Sequence, residues 1–280
     1  MERKMNDTSI WEFKKYLESE EKSKATVQKY VRDVTAFYKA CETEESITRD
    51  VVLKYKNFIT EKYQPASVNS VLASVNRYFR FMGWYDCTVK PLKVQKDIFC
   101  AEEKVLSRKE YRCLLEEAMK RGKKRLALVM ETICASGIRV SELAYVTVEA
   151  AVKGSMTVTC KGKSRRVFLP HKLCIKLKQY IREKKIEKGS IFITRNGKPL
   201  DRSNIWSEMK ELSKAAGIAP EKVFPHNLRH LFAILYYDLE KDIAKLADIL
   251  GHSSINTTRI YIRTSGTEHR RQLEQLSLVI

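Results

Sequence analysis

The chain has 280 residues, 44% of them apolar, and carries 53 Lys and Arg against 34 Asp and Glu, a formal net charge of +19. That is enough apolar material for a buried core, and no apolar run approaches the ~20 residues with which a helix spans a bilayer. The start, MERKMNDTSIW, lacks the apolar stretch of a secretion signal, so a cytoplasmic protein is expected. The seven cysteines (Cys41, Cys87, Cys100, Cys113, Cys134, Cys160 and Cys174) are scattered without a CxxC pair or a Cys/His cluster, a pattern of reduced thiols rather than disulfides or zinc ligands.

Such an excess of positive charge goes beyond what solubility requires and implies a polyanionic partner. Duplex DNA has one negative charge per ~1.7 Å of axis, and releasing its counterions drives binding of proteins this basic. A merely cationic surface, or attraction to anionic lipid, is the competing reading. Basic residues occur in both halves, at KVQK, KRGKKR, KGKSRR and IREKKIEK, so no single tail accounts for the excess.

In chain order, the first ninety residues read as four amphipathic helices. Their apolar faces are Ile10/Phe13/Leu17, Val27/Tyr30/Val31/Val34/Phe37/Tyr38, Val52/Tyr55/Phe58/Ile59 and Val68/Val71/Leu72/Val75/Tyr78/Phe79. Thr48 is an expected N-cap for the third; Pro65 opens the fourth and Gly83 closes it. The aromatic residues of these faces are assigned to core packing rather than to base stacking. Periodicity lapses over VKPLKVQKDIFCAEEK, where a proline and mixed charges mark a linker. The expected division is 1–88, a helical module; 89–104, a linker; and 105–280, a second domain.

The second domain opens with Ser107 and Glu110, the spacing of a capping box, in which each side chain satisfies the other's orphan backbone donor. A helix through Leu126 to Cys134 and a turn at Ser136-Gly137 follow. Met156–Cys160 and Arg166–Leu169 alternate like the strands of a β-hairpin. Helices are expected near His171–Lys185, Asn204–Ala216, Asn227–Leu239, Ile243–Leu250 and Ile255–Ile262, with a short strand at Ile191–Thr194.

The chemistry lies in SGIRVSEL, HNLRH, LGH and IYIR. They contribute Arg139, then His226 and Arg229, then His252, then Tyr261. A phosphodiester under attack gathers charge on its non-bridging oxygens, and a guanidinium offers paired donors to such oxygens where lysine cannot. His226 and Arg229 are three apart on a helix start and share a face. Gly251 is an expected left-handed C-cap that fixes where His252 emerges. A helix beginning near Ser254 puts Tyr261 about two turns along. A phenol, with a pKa near 10, is a weak nucleophile unless a base or cationic neighbours help remove its proton.

In their order, these residues resemble the tyrosine recombinase (phage integrase) family, closest to its Xer-type and small members, over essentially all of Lys104–Arg263. The resemblance implies a mainly α fold with a small β-sheet: an N-terminal, SAM-like four-helix core-binding domain and a C-terminal mixed α/β catalytic domain that together clamp a duplex. It implies an enzyme that cleaves and rejoins DNA strands through a 3′-phosphotyrosyl intermediate on Tyr261. Arg139, Arg229, His226 and His252 stabilise the phosphate's charge, and His226 also suits the role of acceptor for the phenol proton. A lysine on the β-hairpin is the general acid for the leaving 5′ oxygen. Cys160-Lys161-Gly162-Lys163 matches with Lys161, but family members more often have Gly where Cys160 stands, so Lys163 competes. Glu142 matches an acidic position that supports the site; its competing reading is an exposed helix charge.

The family chemistry needs no cofactor and no metal, and no carboxylate cluster suggests a two-metal nuclease. The implied partners are duplex DNA with short inverted-repeat core sites and further copies of the chain, one dimer per site and a homotetramer on two sites, with no membrane. Leu273, Leu276 and Val279 form a stripe in a final helix (266–280) that either docks on its own domain or, as the family implies, on a neighbouring protomer. His230 is expected to pack or cap within its helix, His171 to start one, and His269 to be solvated. The outcome, whether integration, excision, inversion or dimer resolution, is open; a small recombinase of a mobile element fits. Two other classes compete: a type IB topoisomerase-like enzyme, and a DNA-binding protein that has kept the fold and lost the chemistry.

Overall fold

The computed structural model describes residues 3–41, 44–94, 105–160, 162–194, 196–261 and 274–275, with the backbone alone at Cys160. The chain divides into two compact units, Met1–Lys96 and Asp97–Ile280. Among the described residues no helix is long and apolar enough to cross a membrane.

The first unit is built from α1 (Asp7–Ser19), α2 (Lys24–Ala40), α3 (Arg49–Lys62) and α4 (Pro65–Phe81). Asn6 and Ser9 close a capping box on α1, Ser23 and Thr48 cap α2 and α3, and Pro65 supplies a preset backbone angle at the start of α4. The apolar faces meet in one core that includes Phe13, Leu17, Val34, Phe37, Val52, Val68, Val75, Tyr78 and Phe79. Phe37 meets Tyr55 and Phe79 edge-on at 5.0 and 5.5 Å. The aromatic stripe is therefore packing, as expected, and each such ring contributes about 2 kcal/mol by leaving water. Phe58 departs from it: the ring is exposed, beneath the Lys62 ammonium at 3.8 Å.

The beginning of the expected linker lies against this unit. Asn76 and Asn69, two turns apart on α4, each exchange a pair of hydrogen bonds with the backbone of Val89 and Leu92 respectively. Val89 is buried and Leu92 packs on the core.

The second unit contains α5 (Arg108–Lys120), α6 (Lys124–Ser136), a 3-10 turn (Val140–Tyr145), α7 (Val148–Lys153), β1 (Ser155–Cys160), β2 (Lys163–Phe168), α8 (His171–Lys184), α9 (Arg202–Ala215), α10 (Pro225–Glu240), α11 (Ile243–Leu250) and α12 (Ile255–Arg259). The Ser107–Glu110 capping box forms on α5. Helix α6 is apolar nearly all round, from Leu126 to Ile133, and is correspondingly buried, with α5, α8, α9 and α10 packed on it. The fold is mainly helical, with one two-stranded sheet among the described residues.

Three local expectations need correction. Strand β2 begins at Lys163, not Arg166, because the hairpin closes with Cys160 opposite Lys163 and extends the ladder. Residues Ile191–Thr194 are not a strand: Ile191 and Phe192 are fully buried, but among the described residues no neighbouring strand completes a ladder, and only isolated bridges at Ser190 and Ile193 form. Helix α12 ends at Arg259, short of the expected Ile262, so Tyr261 sits in a tight turn after it, its N–H donating to the Thr258 carbonyl at 2.9 Å.

Candidate active site

Helix α6 ends at Gly137, whose φ of 65° is left-handed. No side chain fits there, since a Cβ would stand 2.5 Å from the Phe232 ring. The chain then turns so that Arg139 precedes the 3-10 turn and Glu142 lies within it. Glu142 is 2% exposed, which excludes the reading of an exposed helix charge. Its carboxylate accepts from the Arg139 backbone N–H at 2.8 Å and from Arg139 Nη1 at 3.0 Å. Two further bonds come from Arg165 on β2, Nη1 at 2.8 Å and Nη2 at 2.7 Å. Burial raises the Glu142 carboxyl, but the Arg165 hydrogen bonds, with those of Arg139, outweigh it and hold the group below its ordinary range.

His226 and Arg229 stand on the first turn of α10, behind Pro225. Arg229 is 1% exposed. Its Nη1 donates to the Gly137 carbonyl and its Nη2 to the Leu250 carbonyl, both at 2.7 Å, so it ties the end of α6 to the end of α11. Nη2 also lies 3.0 Å from His252 Nε2. The Nε of Arg229 is buried without a hydrogen-bond partner among the described residues. Burial, then repulsion from Arg139, pushes Arg229 down to about 10, still a cation at neutral pH.

Gly251 caps α11 in the left-handed conformation, as its place in the sequence predicts, and His252 emerges directly after it. A guanidinium can only donate, so His252 Nε2 accepts from Arg229 and the ring proton resides on Nδ1, which donates to Thr258 Oγ1 at 2.8 Å. That assigns a neutral imidazole. Burial, with Arg229 and Arg139 next, pushes His252 down to about 4. His226 and His230 are also lowered, by desolvation first; for His226 the Arg229 charge follows, although the residue opens to solvent.

The Tyr261 ring is 5% exposed and sits among three imidazoles: stacked on His252 at 5.6 Å, edge-on to His230 at 5.0 Å and tilted to His226 at 5.8 Å. Its hydroxyl lies 3.4 Å from His226 Nε2. The ring also joins Ala233, Leu246 and Leu250 in a small apolar cluster. The structure thus brings together Arg139, Glu142, His226, Arg229, His252 and Tyr261. Lys161 lies outside the described residues. Lys163 begins β2 and lines a cleft of about 530 Å³ with Arg139, Arg165 and His252. On the other side of Arg139 a cleft of about 670 Å³ is bounded by Arg202, Trp206, His226 and Arg229.

Two members of this cluster are not singled out by the sequence. His230 touches the Tyr261 ring rather than only its own helix. Arg165 hides among the basic residues of KGKSRR. Its signal is register: Val158 faces inward and pairs with Arg165, so a charge occupies an inward position of the hairpin.

Residues 104–268 match the model of the phage integrase family, and residues 10–84 match that of the phage integrase N-terminal SAM-like domain. The chain belongs to the phage integrase family, the tyrosine recombinases. Among curated relatives, this integrase-family chain is 29% identical to tyrosine recombinase XerA of Pyrococcus furiosus over 287 aligned positions, which cover 99% of this chain and 97% of that one. It is 28% identical to tyrosine recombinase XerD of Halalkalibacterium halodurans, covering 89% of this chain and 90% of that one. Of solved structures, lambda integrase (75–356), a dimer bound to a COC′ core site, shares the fold with a TM-score of 0.76 at 18% identity, covering 93% of this chain and 96% of that one. The XerA recombinase crystal structure matches at 0.54 and 24% identity, covering 98% and 99%.

Proposed function

We propose that Tyr261 is the nucleophile with which this tyrosine recombinase carries out site-specific DNA strand exchange. The observation that carries the proposal is the position of the phenol oxygen, 3.4 Å from His226 Nε2 and within a cluster that includes two guanidinium groups. In this reading His226, kept neutral by its surroundings, accepts the phenol proton as Tyr261 attacks phosphorus. The bond from phosphorus to the 5′ oxygen breaks, Lys161 delivers a proton to that oxygen, and a 3′-phosphotyrosyl bond remains. A 5′ hydroxyl from a partner strand later attacks that bond and releases the tyrosine, so phosphodiester bonds are conserved and no nucleotide is consumed. Arg139 and Arg229 stabilise charge on the two non-bridging oxygens, with the Nε–H of Arg229 an available donor, and His252, accepting from Arg229 Nη2, serves the same phosphate by holding that guanidinium in place.

The partner is duplex DNA with short inverted-repeat core sites, in keeping with the charge of +19. Residues 1–88 act as a DNA-binding module, 89–104 as linker and 105–280 as the catalytic domain. One dimer occupies each site and a tetramer pairs two sites, with the C-terminal segment 266–280, which apart from 274–275 lies outside the described residues, exchanged between protomers. The solved relatives that support this stoichiometry include a lambda integrase dimer on a core site and a lambda integrase tetramer on a Holliday junction. The setting is the cytoplasm, on the DNA of a mobile element or its host.

The test is Tyr261→Phe assayed with the chain's own flanking DNA. Covalent protein–DNA complex is expected to vanish while DNA affinity stays within about threefold, since the hydroxyl takes no part in the electrostatic grip. Covalent complex persisting in the variant refutes the assignment.

A further inference from the structure

Glu142, Arg139 and Arg165 form a closed set of bonds whose arithmetic points to a role for Arg165. A carboxylate has about four acceptor sites, and those of Glu142 are taken by two donors from Arg139 and two from Arg165. Arg165 approaches with both Nη groups, one on each oxygen, the strong bidentate arrangement. Arg139 therefore gives its guanidinium only one bond to Glu142, plus a longer one of 3.3 Å from Nη2 to the Gly251 carbonyl. Its remaining N–H groups have no partner among the described residues. The side chain stays 33% exposed, at the junction of the two clefts.

Arg165 also holds the other half of the site. Its Nε donates to the Ile249 carbonyl at 3.1 Å, two residues before Gly251. Its aliphatic stem fills the space over that glycine, where a Cβ would lie 2.7 Å from Arg165 Cδ. One side chain, 13% exposed, thus joins β2, the 3-10 turn beside Arg139 and the segment that presents His252.

We propose that Arg165 is a positioning residue for strand cleavage: it saturates Glu142 from the β-hairpin side, so that Arg139 is left facing the clefts rather than drawn onto the carboxylate. The inference rests on the reading of Arg139 as a phosphate ligand. Without Arg165, the buried carboxylate has two vacant acceptor sites and one neighbouring cation. Arg139 turns toward it to form the bidentate pair, and the phosphate loses its donor. Lysine at 165 restores charge but not the paired geometry.

The experiment measures covalent-complex formation in a single turnover at saturating DNA, together with DNA affinity, on the full chain. Arg165→Met is expected to slow cleavage roughly a hundredfold, the scale of a misplaced catalytic group, with affinity changed less than about threefold. Arg165→Lys, which keeps a cation against Glu142 and guards against a folding failure, is expected to recover roughly tenfold of that loss. In a Glu142→Gln background no carboxylate remains to capture Arg139, and adding Arg165→Met is expected to cost no more than about threefold. The proposal is overturned by wild-type cleavage in Arg165→Met, by Lys performing no better than Met, or by Arg165→Met costing as much in the Glu142→Gln background as in the wild type. The Tyr261→Phe control separates the two readings: complex surviving that substitution removes the nucleophile assignment, whereas its loss alongside an uncoupled Arg165 removes only the positioning role.

Discussion

Asp33 in the first unit and Glu142 in the second are both buried carboxylates, 6% and 2% exposed, and both are held by cations and further polar groups. Asp33 accepts from Lys29 Nζ at 2.6 Å and Ser74 Oγ at 2.9 Å, with Arg32 Nη2 at 3.3 Å. Lys29 in turn donates to the Ser70 carbonyl and to Ser74. Lys29 and Ser74 thus spend their bonds joining α2 to α4. Around Glu142 the donors have work left over: Arg139 keeps N–H groups that no described residue engages, beside two clefts. The difference teaches that burial of a carboxylate does not by itself mark a functional site. What marks one is a donor that the carboxylate orients but does not exhaust.

The sharpest way to break this comparison is to remove both carboxylates, one at a time. Glu142→Ala leaves the Arg139 and Arg165 guanidinium groups together in a buried place without their counter-charge. Loss of one partner from a buried ionic network costs about 3–5 kcal/mol of stability. Cleavage is expected to fall roughly a hundredfold as well, since an oriented anion donor is lost. Denaturant unfolding and single-turnover cleavage measure the two effects, and a destabilised variant with full activity would place Glu142 in the same class as Asp33.

Asp33→Ala is expected to cost less, about 1–3 kcal/mol, because Lys29 is partly exposed and can reach water, and Ser74 keeps a bond to the Ser70 carbonyl. The loss should appear in the unfolding of the first unit while cleavage at saturating DNA keeps its wild-type rate. A slowed chemical step in this variant would show that the α2–α4 clasp reaches the site.

How much of this is legible in the sequence follows the same division. The first unit's helices can be read from apolar periodicity because its core is apolar: Phe13, Phe37, Val52 and Phe79 are spaced by the helix repeat and meet no competing demand. In the second unit the caps are equally readable, at Ser107, Gly137 and Gly251, because each depends on one residue's local chemistry. The short helix α7 escapes such a reading, although Thr147 caps its start and Gly154 its end, because six residues carry too little periodicity. Arg165 escapes because its meaning depends on hairpin register, a non-local property. A strand that starts three residues earlier than expected turns one of several basic residues into the second partner of Glu142. The tautomer of His252 is likewise beyond reach, since it is set by Arg229 from a different helix.

The smallest expected effect is a dependence of stability on pH that separates the two units. All five histidines lie at position 171 or later, so the first unit has none. His252 is held at about 4 against an ordinary 6.5, chiefly by burial, with His226 and His230 lowered in the same direction. Above pH 6.5 folded and unfolded forms are both neutral at these rings and the full stability is present. As pH falls from 6.5 toward 4, the unfolded chain takes up protons that the folded one refuses, so stability drops progressively across that window. Glu142, held below its ordinary range, adds its own loss as pH falls through that range, where the unfolded chain's glutamate takes up a proton that the folded carboxylate refuses. Calorimetry of the full chain between about pH 7.5 and 4.5 should therefore show the second unit's transition moving down while the first unit's holds. His252→Gln, whose amide does not titrate yet can still accept from Arg229, should flatten part of that slope. Parallel decline in wild type and variant would mean that the imidazole beside Arg229 already takes up its proton in the folded state, and that the neutral tautomer inferred from the Arg229 and Thr258 contacts is wrong.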